Sequence, residues 1–176
     1  MRNLPMPLKP RPGFPPAVCG GFTLLEVLVT ALVLSIGLLG LAGLQATGLR
    51  SSQSAVQRSA ATQLAADIID RVRANSLAKS QYARNAVSSD DCLAMPCTPE
   101  QMAGYDLTQW GAALTAQLPG GTGAVCLDSS PNDGTPVSHA CDGGAGVNTL
   151  AVKIWWDDQR TGDREKFQLF ATSFQP

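Results

Sequence analysis

An uninterrupted apolar stretch near the N-terminus constrains this chain more than any other feature of its sequence. Residues 27–44 read VLVTALVLSIGLLGLAGL and contain no charged side chain. At about 1.5 Å of rise per residue, a helix of this length nearly spans a hydrocarbon core of ~30 Å, and residues 22–25 lengthen it. Inside a bilayer a single segment has to be helical, because each backbone N–H and C=O must find its partner within the segment. The stretch therefore predicts one membrane-spanning helix.

The charges on either side of this stretch predict its orientation. Residues 1–21 carry Arg2, Lys9 and Arg11 and no acidic residue. Basic residues remain on the cytoplasmic side of a membrane, so we expect a cytoplasmic N-terminus and a C-terminal domain in the periplasm. Without these three residues, 10 of the 13 basic residues and all 14 acidic residues remain, which gives a formal charge of −4. That balance provides no basic surface for nucleic-acid binding.

Two common N-terminal signals fit this pattern poorly. An ordinary secretory signal has a shorter apolar core followed by a small-x-small cleavage site, and no clean site of that kind follows this run. A lipoprotein cysteine would follow the apolar run, whereas Cys19 precedes it.

Glu26 is the unusual residue of the segment, since it lies four residues after Phe22 in an otherwise apolar stretch. A carboxylate costs about 2.5–3.5 kcal/mol at the centre of a bilayer and less near its edge. The simplest interpretation is a glutamate in the headgroup layer, but the residues around it favour another one. Residues 19–30 read CGGFTLLEVLVT, which closely resembles the processing site of type IV prepilins.

This resemblance implies specific roles for three residues. A prepilin peptidase would cut after Gly21, and the new N-terminus, Phe22, would then be N-methylated. Glu26, the fifth residue of the mature chain, would pair with the N-terminal ammonium of a neighbouring subunit during assembly. Such a pairing makes a carboxylate tolerable in apolar surroundings.

The longer run at 22–45 and the segment AADIIDRVRAN at 65–75 are similar to minor pilins of the PilV type, often called pilus modification proteins. The similarity implies an α+β, pilin-like fold in which a long N-terminal helix, membrane-spanning in its first half, packs against a small antiparallel sheet. It also implies location in the inner membrane and the pilus, with other major and minor pilins as partners. We expect four parts, namely a cleaved leader (1–21), a transmembrane and assembly segment (22–45), an amphipathic half-helix (46–75) and a periplasmic globular domain (76–176).

The second half of the helix has its own apolar pattern. One stripe recurs at every fourth residue, namely Val56, Ala60, Leu64, Ile68 and Val72. A stripe with this spacing is typical of a helix that packs one face on a core. We expect a loop with one extra helical turn from residue 75 to residue 96.

The rest of the chain predicts one more helix and three strands. Thr98, Pro99 and Gln101 form a helix start, followed at helical spacing by Leu107, Trp110, Leu114 and Leu118. Strands are expected at 123–128, 148–156 and 166–174, the last two paired antiparallel. In the middle strand we expect Trp156 in the core and Trp155 half-covered, with a ligand groove as the other interpretation.

Cys92, Cys97, Cys126 and Cys141 remain after removal of the leader. In the oxidising periplasm four cysteines form disulfides in one of three connectivities, and we favour the pairs nearest in sequence, 92–97 and 126–141. The alternative is a zinc site, which the spacings C-x4-C and C-x14-C fit poorly. No cofactor or metal is expected.

No motif for enzymatic chemistry is present, neither G-x-S-x-G nor a P-loop. His139 lies in a polar segment without an evident triad partner, and we expect it at the surface. The acidic segment DDQRTGDRE at 157–165 lacks EF-hand spacing, so a solvated turn is the favoured interpretation and calcium binding the alternative.

The function expected is a minor pilin that takes part in assembly of a type IV pilus. A minor pseudopilin of a type II secretion system shares the leader, the glutamate and the helix, and a DNA-uptake minor pilin would use the same mechanics. The alternative from another class is a single-span, membrane-anchored binding domain that never polymerises and keeps its leader.

Overall fold

A computed structural model describes residues 21–86, 91–143 and 148–175. The helices are α1 (Leu24–Ala74), α2 (Lys79–Ala83) and α3 (Pro99–Gln117), and the strands are β1 (Thr122–Leu127), β2 (Leu150–Trp156) and β3 (Gln168–Phe174). The prediction of an α+β fold with a long N-terminal helix and a small antiparallel sheet is confirmed. The chain divides into two compact units between Ala46 and Thr47.

The described part of the first unit is the apolar beginning of α1. By length and composition, α1 qualifies as a membrane span, and its most apolar window of 18 residues has a mean hydropathy of 2.5. None of that window is buried within the protein. The large apolar side chains from Phe22 to Leu44 are all exposed, which is the expected state of a segment whose apolar surroundings come from outside the chain.

In the second unit, the later turns of α1 form one side of the core. The buried residues are Ala61, Leu64, Ala65, Ile68 and Val72, in which neighbours on one face are three or four positions apart. The predicted stripe was right for the last three positions and wrong for Val56, which is 66% exposed. Strict i+4 spacing drifts around a helix of 3.6 residues per turn, so the core follows the mixed spacing instead.

Helix α3 begins and packs as its sequence predicts. Thr98 accepts a hydrogen bond from the Gln101 backbone N–H, and the Gln101 side chain accepts one from the Thr98 N–H, which completes a capping box. The side chains of Leu107, Trp110 and Leu114 are buried against α1 and the sheet. Each such residue contributes about 1.5–3 kcal/mol of hydrophobic stabilisation.

The sheet has the order β1-β2-β3 with both pairs antiparallel. Thr122 lies opposite Trp155 in one pair, and Leu150 lies opposite Phe174 in the other. All seven residues of the central strand are buried, which means that both faces of the sheet are covered. Helices α1 and α3 cover one face, and the segment 128–143 covers the other.

Two glycines allow β1 to lie against α3. A Cβ on Gly123 would come within 2.5 Å of the Trp110 ring, and a Cβ on Gly121 within 2.3 Å of the Leu114 carbonyl oxygen. No larger residue fits at either position without moving the helix or the strand.

Between α1 and α3 the chain is more ordered than the sequence indicates. A 3-10 turn at Ser76–Ala78 leads directly into α2, and Tyr82 of α2 is completely buried. The expected single helical turn is present within 75–96, but it contributes a core aromatic side chain that the composition of the segment did not reveal.

Candidate functional site

The N-terminal end of α1 holds the residues expected to act in processing and assembly. Gly21 and Phe22 precede the helix and are exposed, while the leader residues up to Gly20, Cys19 among them, lie outside the described residues. The Thr23 hydroxyl accepts a hydrogen bond of 3.2 Å from the Glu26 backbone N–H, so that Thr23 caps the first turn. The helix thus begins at Leu24, the third residue of the predicted mature chain.

Glu26 lies in the first turn of this helix. A negative charge there is favourable, because the unpaired N–H groups give the N-terminus a partial positive charge. Within the described residues, no basic side chain forms an ion pair with the Glu26 carboxylate. The carboxylate is therefore available to a group from outside the chain.

At its other end, α1 is tied to the domain by a polar network. Arg71 bonds Asp67 through Nε at 3.0 Å and Asp106 through Nη1 at 3.1 Å. The Tyr82 hydroxyl donates to the other oxygen of Asp106 at 2.5 Å. Asn75 donates to the Pro99 carbonyl oxygen at 2.7 Å. Helices α1, α2 and α3 consequently meet around one buried carboxylate.

This network explains the polar residues of the segment 65–75. Asp67 and Arg71 lie on one side of α1, Asn75 follows directly after the helix at the same spacing, and the buried Ile68 and Val72 lie on another side. Burial and the hydrogen bond to Asp106 both raise the pKa of Tyr82, so the phenol stays protonated at any physiological pH. The network is a structural joint between the helix and its domain.

A second polar cluster lies on the opposite face of the sheet. Lys153, in the middle of β2, has a completely buried side chain. Its Nζ lies 2.5 Å from Asp128 Oδ2 and 2.7 Å from Asp133 Oδ1, and it donates to the His139 carbonyl oxygen at 2.8 Å. The ammonium thus lies in a cage of oxygen atoms supplied by the segment 128–143.

The contacts within this cage keep both Lys153 and Asp133 in their charged forms. Burial by itself lowers the pKa of Lys153, but bonds with Asp128 and Asp133 outweigh this effect and hold the pKa above its ordinary value. The hydrogen bond from Lys153 lowers the pKa of Asp133. Lys153 therefore remains an ammonium ion that fastens the covering segment to the sheet.

His139 of the covering segment lies against Trp155 of β2. Their rings stack with centroids 5.2 Å apart, and Trp155 is 1% exposed. The expectation of a half-covered Trp155 was therefore wrong, because the segment 128–143 folds over the strand. His139 lies in a loop, as expected, and is half-buried there. Burial, followed by the positive charge of Lys153, lowers the pKa of His139, so the ring is neutral at pH 7.

Both favoured disulfides are present. Cys92 bonds Cys97, and Cys126 bonds Cys141. The second bond joins the end of β1 to the end of the covering segment. Asp128 lies beside that disulfide, and its carboxylate together with the two sulfurs would suit a metal only in the thiolate form. In the oxidised chain these sulfurs are bonded to each other.

The acidic segment 157–165 uses two of its carboxylates to organise a turn. Asp157 is buried and accepts a hydrogen bond of 2.6 Å from the Gly162 N–H, which lowers the pKa of Asp157. Asp163 accepts one hydrogen bond from the Glu165 backbone N–H and forms an ion pair with Lys166. This arrangement is that of a closed turn, as favoured from the sequence, although Asp157 is less solvated than expected.

Sequence reasoning missed the roles of Lys153, Asp128 and Asp106. A lysine within a strand of apolar residues was the available signal for the first, since a fully buried lysine requires a partner. Nothing in the sequence identified Asp128 or Asp106 as that kind of partner, because both lie far along the chain from the cations that they meet.

Comparison with protein-family models gives two matches. The model of the prokaryotic N-terminal methylation motif matches residues 17–42, and the model described as type IV pilin Tt1218 matches residues 43–108. Together they cover more than half of the chain, and the second match includes Arg71, Tyr82 and Asp106. No significant match to a curated protein or to a solved structure was found.

Proposed function

The chain belongs to the type IV pilin family, and on that premise we propose that it is a minor pilin, which takes part in the assembly of a type IV pilus as a priming, tip or modifying subunit. Type IV pilins are structural proteins, and their processing motif implies a prepilin peptidase and other pilins as partners. The prepilin motif and the apolar helix suggest anchoring in the membrane and incorporation into the pilus.

The isolated carboxylate at the start of α1 carries the proposal. Between Phe22 and Leu49, Glu26 is the single charged side chain, and the apolar residues around it are exposed in the monomer. An apolar helix is stable in the membrane, and it is equally stable in a bundle of similar helices. Glu26 distinguishes these two environments, because only the bundle brings it the N-terminal ammonium of a neighbour.

The proposed mechanism follows from this difference. After cleavage behind Gly21, the new amino group of Phe22 becomes a positive charge at the end of an apolar helix. When the helix leaves the membrane for the filament, pairing of that charge with a neighbour's Glu26 offsets the desolvation of both groups. A subunit shifted along the bundle leaves both charges unpaired, so the pair fixes the axial register.

The proposed parts of the mature chain follow from the same argument. Residues 22–45 insert into the membrane or filament, residues 46–75 link them to the domain, and residues 76–176 form the exposed domain. Two disulfides support a periplasmic location of that domain, because such bonds persist in oxidising compartments. The N-terminus would then be cytoplasmic before cleavage.

The first test is the N-terminal mass of the protein isolated from membranes, with and without the prepilin peptidase. We expect a chain that begins at N-methylated Phe22 and that disappears in the peptidase mutant. A chain that retains residues 1–21 in normal cells would refute the proposal and support the anchored, non-polymerising binding domain.

Glu26→Gln tests the proposed assembly role. The variant keeps the size of the side chain and removes its charge, so membrane insertion should be unchanged and incorporation into sheared pili should fall at least tenfold. Glu100→Gln is the matched control, because Glu100 is also exposed in the first turn of a helix, α3. Equal incorporation of both variants would contradict the role.

A deletion strain separates the pilus from the type II secretion system. Loss of twitching with intact exoprotein secretion is expected, and the match to a type IV pilin model supports this outcome. Loss of secretion with intact twitching would assign the chain to a pseudopilus instead.

A further inference from the structure

A polar groove lies between α1 and the turn that joins β2 to β3. Its volume is about 680 Å³. Helix α1 contributes Arg50, Ser51, Gln53 and Ser54, and the turn contributes Asp158 and Arg160. With Gln159 of the turn, the groove is lined by two guanidinium groups, two hydroxyls, two amides and one carboxylate, and neither the disulfides nor the two polar networks use these groups.

The two arginines of the groove have no carboxylate partner within the described residues. Arg71, Arg73, Lys153 and Lys166 each form an ion pair with an aspartate. For Arg50 and Arg160, no ion pair or side-chain hydrogen bond connects the guanidinium to the rest of the described chain. Their positive charge is therefore available to an anion from outside the protein.

The turn holds its side of the groove in a fixed shape. The Asp157 N–H donates to the Pro119 carbonyl oxygen at 2.8 Å, and its carboxylate accepts the Gly162 N–H. Between them, Arg160 adopts a left-handed backbone with φ of 55°. That conformation is strained for a residue with a Cβ, so the turn maintains a strained residue where it lines the groove.

Asp158 adds an acceptor beside these donors. Its Oδ1 atom is buried and has no hydrogen-bond partner within the described residues. An unpaired buried acceptor is costly and is usually satisfied by a ligand, a water molecule or a partner. A ligand that carried both an anionic and a cationic group would satisfy the arginines and Asp158 together.

The place of Arg50 in the sequence identifies a source of such a ligand. Arg50 is the first basic residue after the apolar stretch and follows Leu44 by six residues. Six helical residues rise about 9 Å, which places the Arg50 backbone just beyond a headgroup layer about 5–8 Å thick if the core ends near Leu44. The long side chain of an arginine can reach back from there into that layer. Basic residues at this depth contact lipid phosphates.

We propose that the groove binds the headgroup of a membrane phospholipid that carries a primary amine. The phosphate lies between Arg50 and Arg160 and accepts hydrogen bonds from the Ser51 and Ser54 hydroxyls, while the ammonium group meets Asp158. A carboxylate of a neighbouring protein suits the site less well, because a lone carboxylate brings no cationic group to Asp158. The inference rests on the membrane anchoring in the proposed function and is independent of which filament the subunit joins.

The test uses the full chain purified in detergent, with lipid retention measured by native mass spectrometry. The probes are dioleoyl phosphatidylethanolamine, the corresponding phosphatidylcholine and phosphatidylglycerol, and inorganic phosphate. We expect phosphatidylethanolamine to bind at least tenfold more tightly than phosphatidylcholine, whose quaternary ammonium cannot donate a hydrogen bond, and more tightly than phosphatidylglycerol, which lacks the amine.

Three variants locate the binding. The double variant Arg50→Gln/Arg160→Gln should lower the affinity for phosphatidylethanolamine at least tenfold. Asp158→Asn should remove the preference over phosphatidylcholine and leave phosphate recognition intact. Arg58→Gln is the matched control, since Arg58 is an exposed arginine of α1 that does not line the groove. This variant should bind phosphatidylethanolamine as tightly as the parent chain does. Tryptophan fluorescence verifies that each variant is folded.

Several outcomes would overturn the proposal. Equal losses in the double variant and in Arg58→Gln would mean diffuse electrostatic attraction, and competition by millimolar inorganic phosphate would mean a site for free phosphate. Arginine-dependent copurification of another subunit, with unchanged lipid retention, would make the groove a protein contact. The N-terminal mass of the same sample separates this failure from that of the proposed function, because a processed chain without lipid refutes only the headgroup site.

Discussion

Glu26 and Lys153 are both charged residues in apolar stretches of sequence, and the protein treats them in opposite ways. Lys153 lies within the strand LAVKIWW, and two aspartates and a carbonyl oxygen of the same chain surround its ammonium. Glu26 lies within the run FTLLEVLV, and no basic side chain of the described residues pairs with it. One charge is neutralised by folding, whereas the other has no counter-charge among the described residues, and we propose that a second molecule supplies it.

The paired Lys153 acts in folding of the domain, whereas we propose that the unpaired Glu26 acts in assembly. A buried ion pair completed within the domain contributes to a defined native structure. An unpaired charge in an apolar helix destabilises every arrangement except the one that supplies its counter-charge, and so it selects a partner and a register. The domain should therefore respond strongly to changes at its internal pairs and hardly at all to changes at Glu26.

The largest effect on stability is expected for Lys153→Met. The variant leaves Asp128 buried without its cation, which should lower the free energy of unfolding by about 3–5 kcal/mol. Urea unfolding of the full chain in detergent, followed by fluorescence of its three tryptophans, all of which lie in the domain, measures the change.

The control for this prediction is Lys166→Met, which removes an exposed ion pair with Asp163 and should cost less than about 1 kcal/mol. Adding Asp128→Leu to Lys153→Met should recover much of the loss, because the unpaired buried charge is then gone. Equal stability of Lys153→Met and the parent chain would show that the cage is not a feature of the folded domain.

Removal of the disulfide between Cys126 and Cys141 is expected to have the second-largest effect on the free energy of unfolding. Paired alanine substitutions should cost about 3 kcal/mol in the chain-entropy model, because the bond closes a loop with a sequence separation of 15 residues. The matched control, Cys92→Ala/Cys97→Ala, opens a loop with a separation of 5 residues and should cost about 2 kcal/mol. A reversed order would mean that the covering segment 128–143 is held mainly by Lys153.

Tyr82→Phe tests the joint between the three helices. The variant removes the hydroxyl that bonds buried Asp106, and the lost bond should cost about 1–3 kcal/mol. Tyr105→Phe is a suitable control, since Tyr105 is only partly buried on α3. Identical unfolding curves for the two variants would contradict the proposed role of the network at residues 65–75.

The smallest expected effect is the contribution of His139 to the pH dependence of folding stability. Because its folded pKa is lowered, the unfolded chain binds a proton more readily than the folded chain does. Its stabilising contribution is therefore complete above the ordinary value of about 6.5 and decreases as the pH falls below it. His139→Gln should show a flatter decline than the parent between pH 7 and pH 5, and parallel curves would exclude this coupling.

The elements that could be predicted are those whose signals lie close together in the sequence. Thr98 and Gln101 are three residues apart, and they cap α3 as expected. The antiparallel pairing of β2 and β3 and the two disulfides likewise follow from local alternation, turns and near neighbours. Motif and membrane context predict the roles of Gly21, Phe22 and Glu26, and these roles stay predictions until the chain is tested.

Contacts between distant residues were the ones that could not be predicted. Arg71 meets Asp106 across 35 positions, and Trp110 donates from its indole N–H to the Leu64 carbonyl oxygen across 46. The errors at Val56 and Trp155 have the same origin, since exposure depends on which segment finally lies over a residue and not on the residue itself.

By itself the sequence determined the apolar helix, its isolated glutamate, the periodic elements and the nearest-neighbour disulfides, because hydrophobic periodicity, capping and short loop closure act over a few residues. Only the tertiary structure decided that the segment 128–143 covers the outer face of the sheet, that Lys153 is caged beneath it, and that Arg50 and Arg160 meet at one groove. These features depend on the spatial convergence of residues far apart in the chain, and local sequence patterns carry no record of that convergence.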